Sequence, residues 1–390
     1  MTTHTHEGPA MPRKENLVIR KPRNAAEIDQ AYELVARIFG HDYTESRETQ
    51  VRIRTLESPE NLEDAVVVAR DGEIVGFARI LDRQLSSPIG CVKAGGITSV
   101  CVHPDYRGSG LGIGLVEAAL GRSRHRGDVL SILFARRAVD GWYPRTGYVG
   151  IGCHHEMRID RLSLRNMSLP SFAGRIERGI VESYSSTYAA AYADSYHGLF
   201  LSFCRDERWW QSLGLRLEGR VEINDVVNVV TQQGPIGYFI LKDGRIIEAA
   251  SPRQHRGDLI AGIVQHGLSG DGEGLVLALP LSHWCITFFR GMNHTQSIRH
   301  SWDGGHMVRI LKKGMFRAIV KGSMRHEFHS SIDRLFEQYD VSDNEDAKHL
   351  LLGIVGASPT SWVGRKKGEA AISGSALLQV LPSWSIVDEF

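Results

Sequence analysis

One run constrains this chain more than any other: Ile97-Thr-Ser-Val-Cys-Val-His-Pro-Asp-Tyr-Arg-Gly-Ser-Gly-Leu-Gly-Ile-Gly-Leu-Val-Glu117. A β-rich stretch meets His103-Pro104, and Arg107-Gly-Ser-Gly-Leu-Gly112 then opens a helix with Leu111, Leu115 and Ala118 on its apolar face. Gly108, Gly110 and Gly112 let the backbone turn sharply and approach a ligand closely. The free N–H groups at the helix start, together with the positive end of the helix dipole, form an anion site. Arg107 adds a fixed charge able to grip phosphate oxygens. Two other glycine-rich readings fail. A nucleotide-triphosphate loop needs a Lys after its last glycine, and none follows here. The dinucleotide fingerprint needs a sixth-position glycine, but Ile113 and Leu115 stand there. A glycine-rich turn with no ligand remains the structural alternative.

The flanking sequence alternates strand and helix patterns, which makes the fold class α/β (α+β). Leu17 to Arg20 reads as a strand, and Asn24 to Phe39 has helical spacing, with Ile28, Ala31, Leu34, Val35 and Ile38 on one face. Ala65 to Leu81 reads as a hairpin turning at Asp71-Gly72. A second hairpin turns at Asp243-Gly244, within Gly237 to Ala250, and each turn follows a basic residue and precedes Ile-Val or Ile-Ile. This repetition suggests a diverged second copy of the first lobe over about 170–300. Further on, Ser323 to Tyr339 is amphipathic, with Phe328, Ile332, Leu335 and Phe336 on one face. The apolar end, Trp384 to Phe390, suggests a packed tail.

At 390 residues the chain has room for two or three domains. We divide it into a disordered tail at 1–15, a catalytic lobe at 16–165, a second lobe without a cofactor loop at 166–303 and a short C-terminal domain at 304–390. Lys plus Arg number 46 and Asp plus Glu 45, so charge gives no case for a nucleic-acid or membrane partner. No run is long and apolar enough for a transmembrane helix. Five widely spaced cysteines fit reduced thiols in a cytoplasmic protein. His154 and Glu156 could share a strand face, but two residues do not make a metal site, and no metal is expected.

Arg107-Gly-Ser-Gly-Leu-Gly112 resembles the cofactor loop of the GCN5-related N-acetyltransferase superfamily, Arg/Gln-x-x-Gly-x-Gly/Ala after a strand. The resemblance implies acetyl-CoA as cosubstrate. Loop amides of Arg107, Gly108, Ser109, Gly110, Leu111 and Gly112 would hold its pyrophosphate, and Val100, Cys101 and Val102 would pair with its pantetheine arm. The strand is expected to splay from its neighbour, freeing an N–H that polarises the thioester carbonyl. Trp142-Tyr-Pro-Arg-Thr-Gly-Tyr148 resembles the family's Tyr-x-x-x-Gly-Phe signature, so Tyr143 matches the acid that protonates the departing thiolate; it could instead be a packing residue. The Asn that many members place after the following strand is missing from Ala135-Arg-Arg-Ala-Val-Asp140. Arg122, Arg124 and Arg126 are either a solvated helix end or contacts for the 3′-phosphate.

Length and order further resemble the enhanced-intracellular-survival (Eis) aminoglycoside acetyltransferases, with two tandem lobes of mixed sheets and a small sterol-carrier-like C-terminal domain. Arg205 to Leu213 resembles the Arg-then-Trp helix of their second lobe, and His306 to Leu311 the strand opening their third domain. The resemblance implies transfer to a primary amine of an aminoglycoside-like small molecule, in a homo-oligomer that is hexameric in Eis relatives. Peptide or protein lysines are the alternative acceptor, and a non-catalytic acyl-CoA-binding module is the alternative from another class. The family's terminal carboxylate would be that of Phe390, placed as the base or else a mere anchor; His103 and Glu389 are other bases. Asp42 and Glu45 would supply the acidic pocket that a polycation requires.

Overall fold

The computed structural model describes residues 16–39, 62–136, 139, 141–168, 174–197, 199, 201–205, 209–210, 226–269, 274–301, 305–324, 326–343, 346–347 and 349–351. The tail at 1–15 and the residues beyond 351 lie outside that set.

The first sheet is built from β1 (Val18–Arg20), β2 (Ala65–Arg70), β3 (Glu73–Ser86), β4 (Val92–Val102), β5 (Leu130–Ala135) and β6 (Val149–Gly150), with α1 (Ala25–Phe39) before β2 and α2 (Leu111–Arg126) between β4 and β5. Strands β1 to β4 pair antiparallel in sequence order, whereas β4 and β5 run parallel. A parallel pair requires a crossover, and α2 supplies it. The run Ala65-Val-Val-Val-Ala69 is continuously apolar because both faces of the sheet are covered. Ala65, Val67 and Ala69 meet Ile28, Ala31, Tyr32 and Val35 of α1. Val66 and Val68 meet Leu115, Val116, Ala119 and Leu120 of α2 on the other face. Each buried Val, Leu or Ile among these contributes roughly 1.5–3 kcal/mol.

The second lobe repeats this plan. It contains β7 (Gly152–Asp160), α3 (Arg161–Arg165), β8 (Arg175–Arg178), α4 (Ser185–Tyr196), β9 (Ser202–Phe203), β10 (Val226–Thr231), β11 (Gly234–Lys242), β12 (Arg245–Ala250), α5 (Arg256–Ser269), β13 (Gly274–Leu277), α6 (Trp284–Phe289) and β14 (His294–Ser301). Its sheet runs β14-β7-β13-β12-β11-β10-β8, with β12 and β13 parallel across α5. Thus β8, β10, β11, β12 and β13 repeat β1 to β5, and α4 and α5 repeat α1 and α2. The two Asp-Gly turns nevertheless occupy different positions. Asp71-Gly72 joins the second and third strands of its copy, whereas Asp243-Gly244 joins the third and fourth. Both are left-handed at both residues, with φ 48° and 89° in the first and 51° and 72° in the second. Local turn chemistry, not common position, makes them look alike.

Three strands lie away from their expected lobes: β9, from the stretch assigned to the second lobe, pairs with β3 in the first sheet, and β15 and β7 have each joined the opposite sheet. Strand β15 (Gly305–Ile310), expected to open the C-terminal domain at 304, inserts between β5 and β6 in the first sheet. Strand β7, expected within the lobe ending at 165, lies in the second sheet between β13 and β14. Residues 149–160 therefore run antiparallel to 294–301 in one sheet and to 305–310 in the other, with the Ile151 N–H donating to the His306 carbonyl at the crossing (2.9 Å). Each sheet needs a buried partner along an open edge, and this pairing supplies both at once.

Helices α7 (Lys313–Ser323) and α8 (His329–Gln338) carry Phe316, Ile319, Val320, Ile332 and Phe336 into a core shared with Leu85 and Val92 of the β3–β4 hairpin and with Leu201 and Phe203. The amphipathic face expected over 323–339 is used there. Among the described residues, no helix is long and apolar enough to cross a membrane.

Candidate functional site

The site begins with an irregularity in β4. Cys101 faces Phe77 and Thr98 faces Arg79, so Ser99 and Val100 oppose Ala78 alone. Ser99 takes a left-handed φ of 55°, forming a bulge. On its other side β4 pairs with β5 only from Ala94 to Gly96, although both strands continue. The expected splay is thus present, and it opens one edge of Ile97 to Val102. His103 N–H donates to Val75 O (2.8 Å). Amides alternate along a strand, so the Val102 N–H faces the gap.

Val100 and Val102 pack toward α2, whereas Cys101 is buried on the α1 side. Burial pushes the Cys101 thiol up to about 12, so it is no thiolate nucleophile near neutrality. At the mouth of the gap the Arg107 Nε donates to Val102 O (3.2 Å), and Arg107 is exposed.

The turn that follows leaves the helix start bare. Gly108 and Gly110 have φ of 76° and 84°, and no atom lies within 4 Å of where their side chains would begin. Gly110 is the N-cap and provides no side-chain cap. The first helical bond runs from Gly114 N–H to Gly110 O (3.0 Å), so the Leu111, Gly112 and Ile113 amides have no helical acceptor. The first turn of α2 has no acidic residue. Ser109 is occupied locally, its hydroxyl donating to Tyr106 O (2.6 Å). Gly112 has another reason to be small: a Cβ there would lie 3.1 Å from the Trp142 ring. The arrangement fits a diphosphate held by main-chain amides with Arg107 beside it.

The corresponding turn of the second lobe does not. Strand β12 ends at Ala250, and after Ser251-Pro252 a turn at Arg253–His255 runs into α5 without a left-handed glycine. The Asp194 carboxylate accepts from the Arg253 N–H (2.6 Å), and Asp258 stands in the first turn of α5. The protein's own anions thus occupy this helix start.

Tyr143 opens a short 3-10 turn, Tyr143–Thr146, closed by Gly147 at φ 75°. Its ring packs edge-on against Trp142 (centroids 4.8 Å) and Tyr148 (6.0 Å). Burial pushes its hydroxyl up to about 12. Behind it, the Tyr148 hydroxyl is hydrogen-bonded to Ser131 Oγ on β5 (2.5 Å). Arg309 of β15, buried, donates to Thr146 O and to Glu117 of α2, the latter at 2.9 Å. The same core gathers Val100, Val102, Leu111, Trp142 and Tyr143 around it.

Other expected residues have different employment or fall elsewhere. His103 Nδ1 accepts the Asp105 N–H (3.4 Å) and caps the turn. Arg122 pairs with Glu63 (3.3 Å), and Arg126 with Asp64 and Asp128 (3.0 Å each). Asp42, Glu45, Glu389 and Phe390 lie outside the described residues. Past the end of β4, α1 and the Asp71-Gly72 turn enclose a polar cavity of about 440 Å3, where Glu33, Asp71 and Glu73 stand with Arg37 and His103. Arg309, Glu117 and the Ser99 bulge were missed by the sequence reading. Arg309 lies 163 residues from Thr146 in sequence, and no local pattern couples them. Among the described residues, no group of three or more His, Cys, Asp or Glu side chains is placed to hold a metal.

The family model of the acetyltransferase (GNAT) domain matches residues 19–150, the span from β1 to β6. A GCN5-related N-acetyltransferase from Kribbella flavida shares the fold with TM-score 0.55 and 21 % identity, over 78 % of this chain and 74 % of that one. A probable N-acyltransferase from Enterococcus faecalis V583 aligns over 76 % and 73 %, at TM-score 0.54 and 18 % identity. Eis1 from Mycobacterium abscessus aligns over 79 % and 76 %, at TM-score 0.53 and 19 % identity. No curated protein matches the chain at a significant level.

Proposed function

We propose that the acetyltransferase domain matched over residues 19–150 transfers an acetyl group from acetyl-CoA to a primary amine by direct attack. One observation carries this reading: β4 parts from β5 after Gly96, immediately before a helix start whose amides are bare. Amides of 108–113 and the Arg107 guanidinium hold the diphosphate. Val100 to Val102 pair with the extended arm of the donor, and the N–H of Val102 faces the gap where an oxyanion would form. A donor fixed in advance at that point is worth about 3–4 kcal/mol in such reactions.

Tyr143 gives its proton to the departing thiolate. A thiolate needs a donor that remains protonated at neutral pH, and the raised Tyr143 hydroxyl does so. For the acceptor we propose a small polyamine of the aminoglycoside type. Its support is the Eis-like arrangement of two lobes, together with the cavity lined by Glu33, Asp71 and Glu73 against one Arg37, a balance suited to a polycation.

The test is release of CoA thiol by the purified chain with acetyl-CoA and a panel of amines. Turnover with kanamycin-like amines is the expected result. Turnover only with a lysine peptide would move the acceptor to proteins. Failure of calorimetry to detect acetyl-CoA binding would remove the reading altogether.

A further inference from the structure

At the tip of the β3–β4 hairpin, far along the strands from the candidate site, two thiols meet. Cys91 Sγ lies 3.0 Å from Cys204 Sγ, although 113 positions separate them in sequence. We propose that Cys91 and Cys204 are an oxidation site, closing to an intramolecular disulfide on reaction with a low-molecular-weight disulfide.

Both cysteines sit on backbone that is already fixed. Strand β9 pairs with β3 through Leu85–Phe203 and Ser86–Ser202, and the Cys204 N–H donates to Gln84 O (2.8 Å). On the other side Ser87 and Gly90 exchange backbone hydrogen bonds of 2.9 and 3.1 Å, closing the turn that presents Cys91. Leu85, Val92, Leu201 and Phe203 share one core beneath the pair. The sulfurs are therefore held close by packing that does not depend on them. Bond formation needs them to approach by about 1 Å.

Access is ordered as well. Cys91 is exposed and Cys204 half-buried, whereas Cys101 and Cys285 are buried with their thiols pushed up by desolvation. The Cys204 thiol is pushed up to about 12 by burial and by Cys91. Cys91 is thus the attacking group. Its thiolate attacks one sulfur of oxidised glutathione, forming a mixed disulfide and releasing one glutathione thiolate. Cys204 then loses its proton, attacks the Cys91 sulfur and expels the second glutathione. Two protein thiols are oxidised, one small disulfide is reduced to two thiols, and the two protons go with them.

The covalent loop would enclose the glycine turn, α2 and Tyr143, and would tie the second lobe to the hairpin of the first. A loop of this size restricts the unfolded chain and raises Tm by about 5 °C or more.

The test uses the full chain incubated with oxidised glutathione, alkylated, digested without reduction and mapped by mass spectrometry, with Tm measured in parallel. A linked pair of peptides containing Cys91 and Cys204, a higher Tm, and loss of both effects in C91S and in C204S are expected. A stable glutathione adduct on Cys91 with Cys204 alkylated would overturn the proposal. So would a Tm gain that survives in C91S.

Discussion

Arg309 Nη1 lies 2.9 Å from Glu117 Oε1 and also donates to the carbonyl of Thr146. One guanidinium from a late strand thereby joins the helix that carries the glycine turn to the short turn that begins at Tyr143. Its charge is compensated by Glu117, which allows it to be buried. The tie makes the Tyr143 position depend on β15.

Replacing Arg309 should therefore act on catalysis through geometry. Arg309→Ala is expected to lower kcat about tenfold while changing KM for acetyl-CoA less, since the loop amides remain. Arg309→Lys keeps the charge with fewer fixed donors and should recover part of the rate. Steady-state kinetics decide; wild-type kcat in Arg309→Ala would remove the positioning role.

Tyr143→Phe keeps the ring packing against Trp142 and Tyr148 and removes the proton. It is expected to lower kcat by about 100-fold or more with unchanged CoA affinity. Burial pushes the hydroxyl up to about 12, which favours its protonated form, so the acid keeps its proton well above neutrality. Any alkaline loss of kcat below about pH 11 must then come from another group and should persist in the residual activity of Tyr143→Phe.

Gly110 and Gly112 of the turn should respond differently. Gly110→Ala forces an L residue to φ 84°, a strain of about 1–2 kcal/mol, and should weaken CoA binding about tenfold or distort the loop. Gly112→Ala meets the Trp142 ring at 3.1 Å with ordinary φ, so its first effect falls on Trp142 and its neighbour Tyr143. Calorimetry should show the larger loss of CoA affinity in Gly110→Ala and kinetics the larger kcat-to-affinity ratio change in Gly112→Ala.

In the second lobe, Arg205 makes two 2.7 Å bonds to Glu248 with both side chains fully buried, and Tyr238 donates to the same carboxylate (2.7 Å). The guanidinium lies 3.8 Å from the Tyr192 ring centre and 4.0 Å from that of Trp209. Glu248→Ala removes the carboxylate that takes both bonds from this buried cation and should destabilise by about 3–5 kcal/mol in denaturant unfolding. A loss under about 1 kcal/mol would mean that water reaches the pair.

Acid stability should report on His283, whose ring is fully buried and whose pKa is pushed down to about 3 by burial, with Arg256 adding to the effect. An unfolded chain protonates this histidine below its ordinary value of 6.5, whereas the folded one does not until about 3. Stability is therefore lost as pH falls through that window, by up to about 1.4 kcal/mol per pH unit. His283→Asn retains a side chain able to cap the Cys285 N–H and removes the titration. Its unfolding free energy should fall less steeply between those limits; an identical slope would acquit His283.

Much of the site was legible because its chemistry is local. The glycines, Arg107 and the following apolar helix lie within one run, and Tyr143 stands on a short turn with its own Pro and Gly. The repeat of the lobes was also legible, but through turns that prove not to be equivalent. What escaped is whatever depends on partners distant in sequence. The Ser99 bulge is set by register against Arg79 and Phe77, not by a turn residue. Placing β7 and β15 in opposite sheets requires knowing which open edge each meets, and an apolar strand pattern such as Met307 to Leu311 says only that some edge will take it.

The pairing of 149–160 with 294–301 and 305–310 makes the two copies inseparable. A gene cut between them would give one fragment lacking Arg309 and its strand, and another lacking β7, the strand that joins β14 to the rest of its sheet. Neither should accumulate as a soluble protein alone, though co-expression could restore both together. Two copies of one lobe plan have in this way become a single unit, in which neither sheet is complete without strands that lie beside the other in sequence.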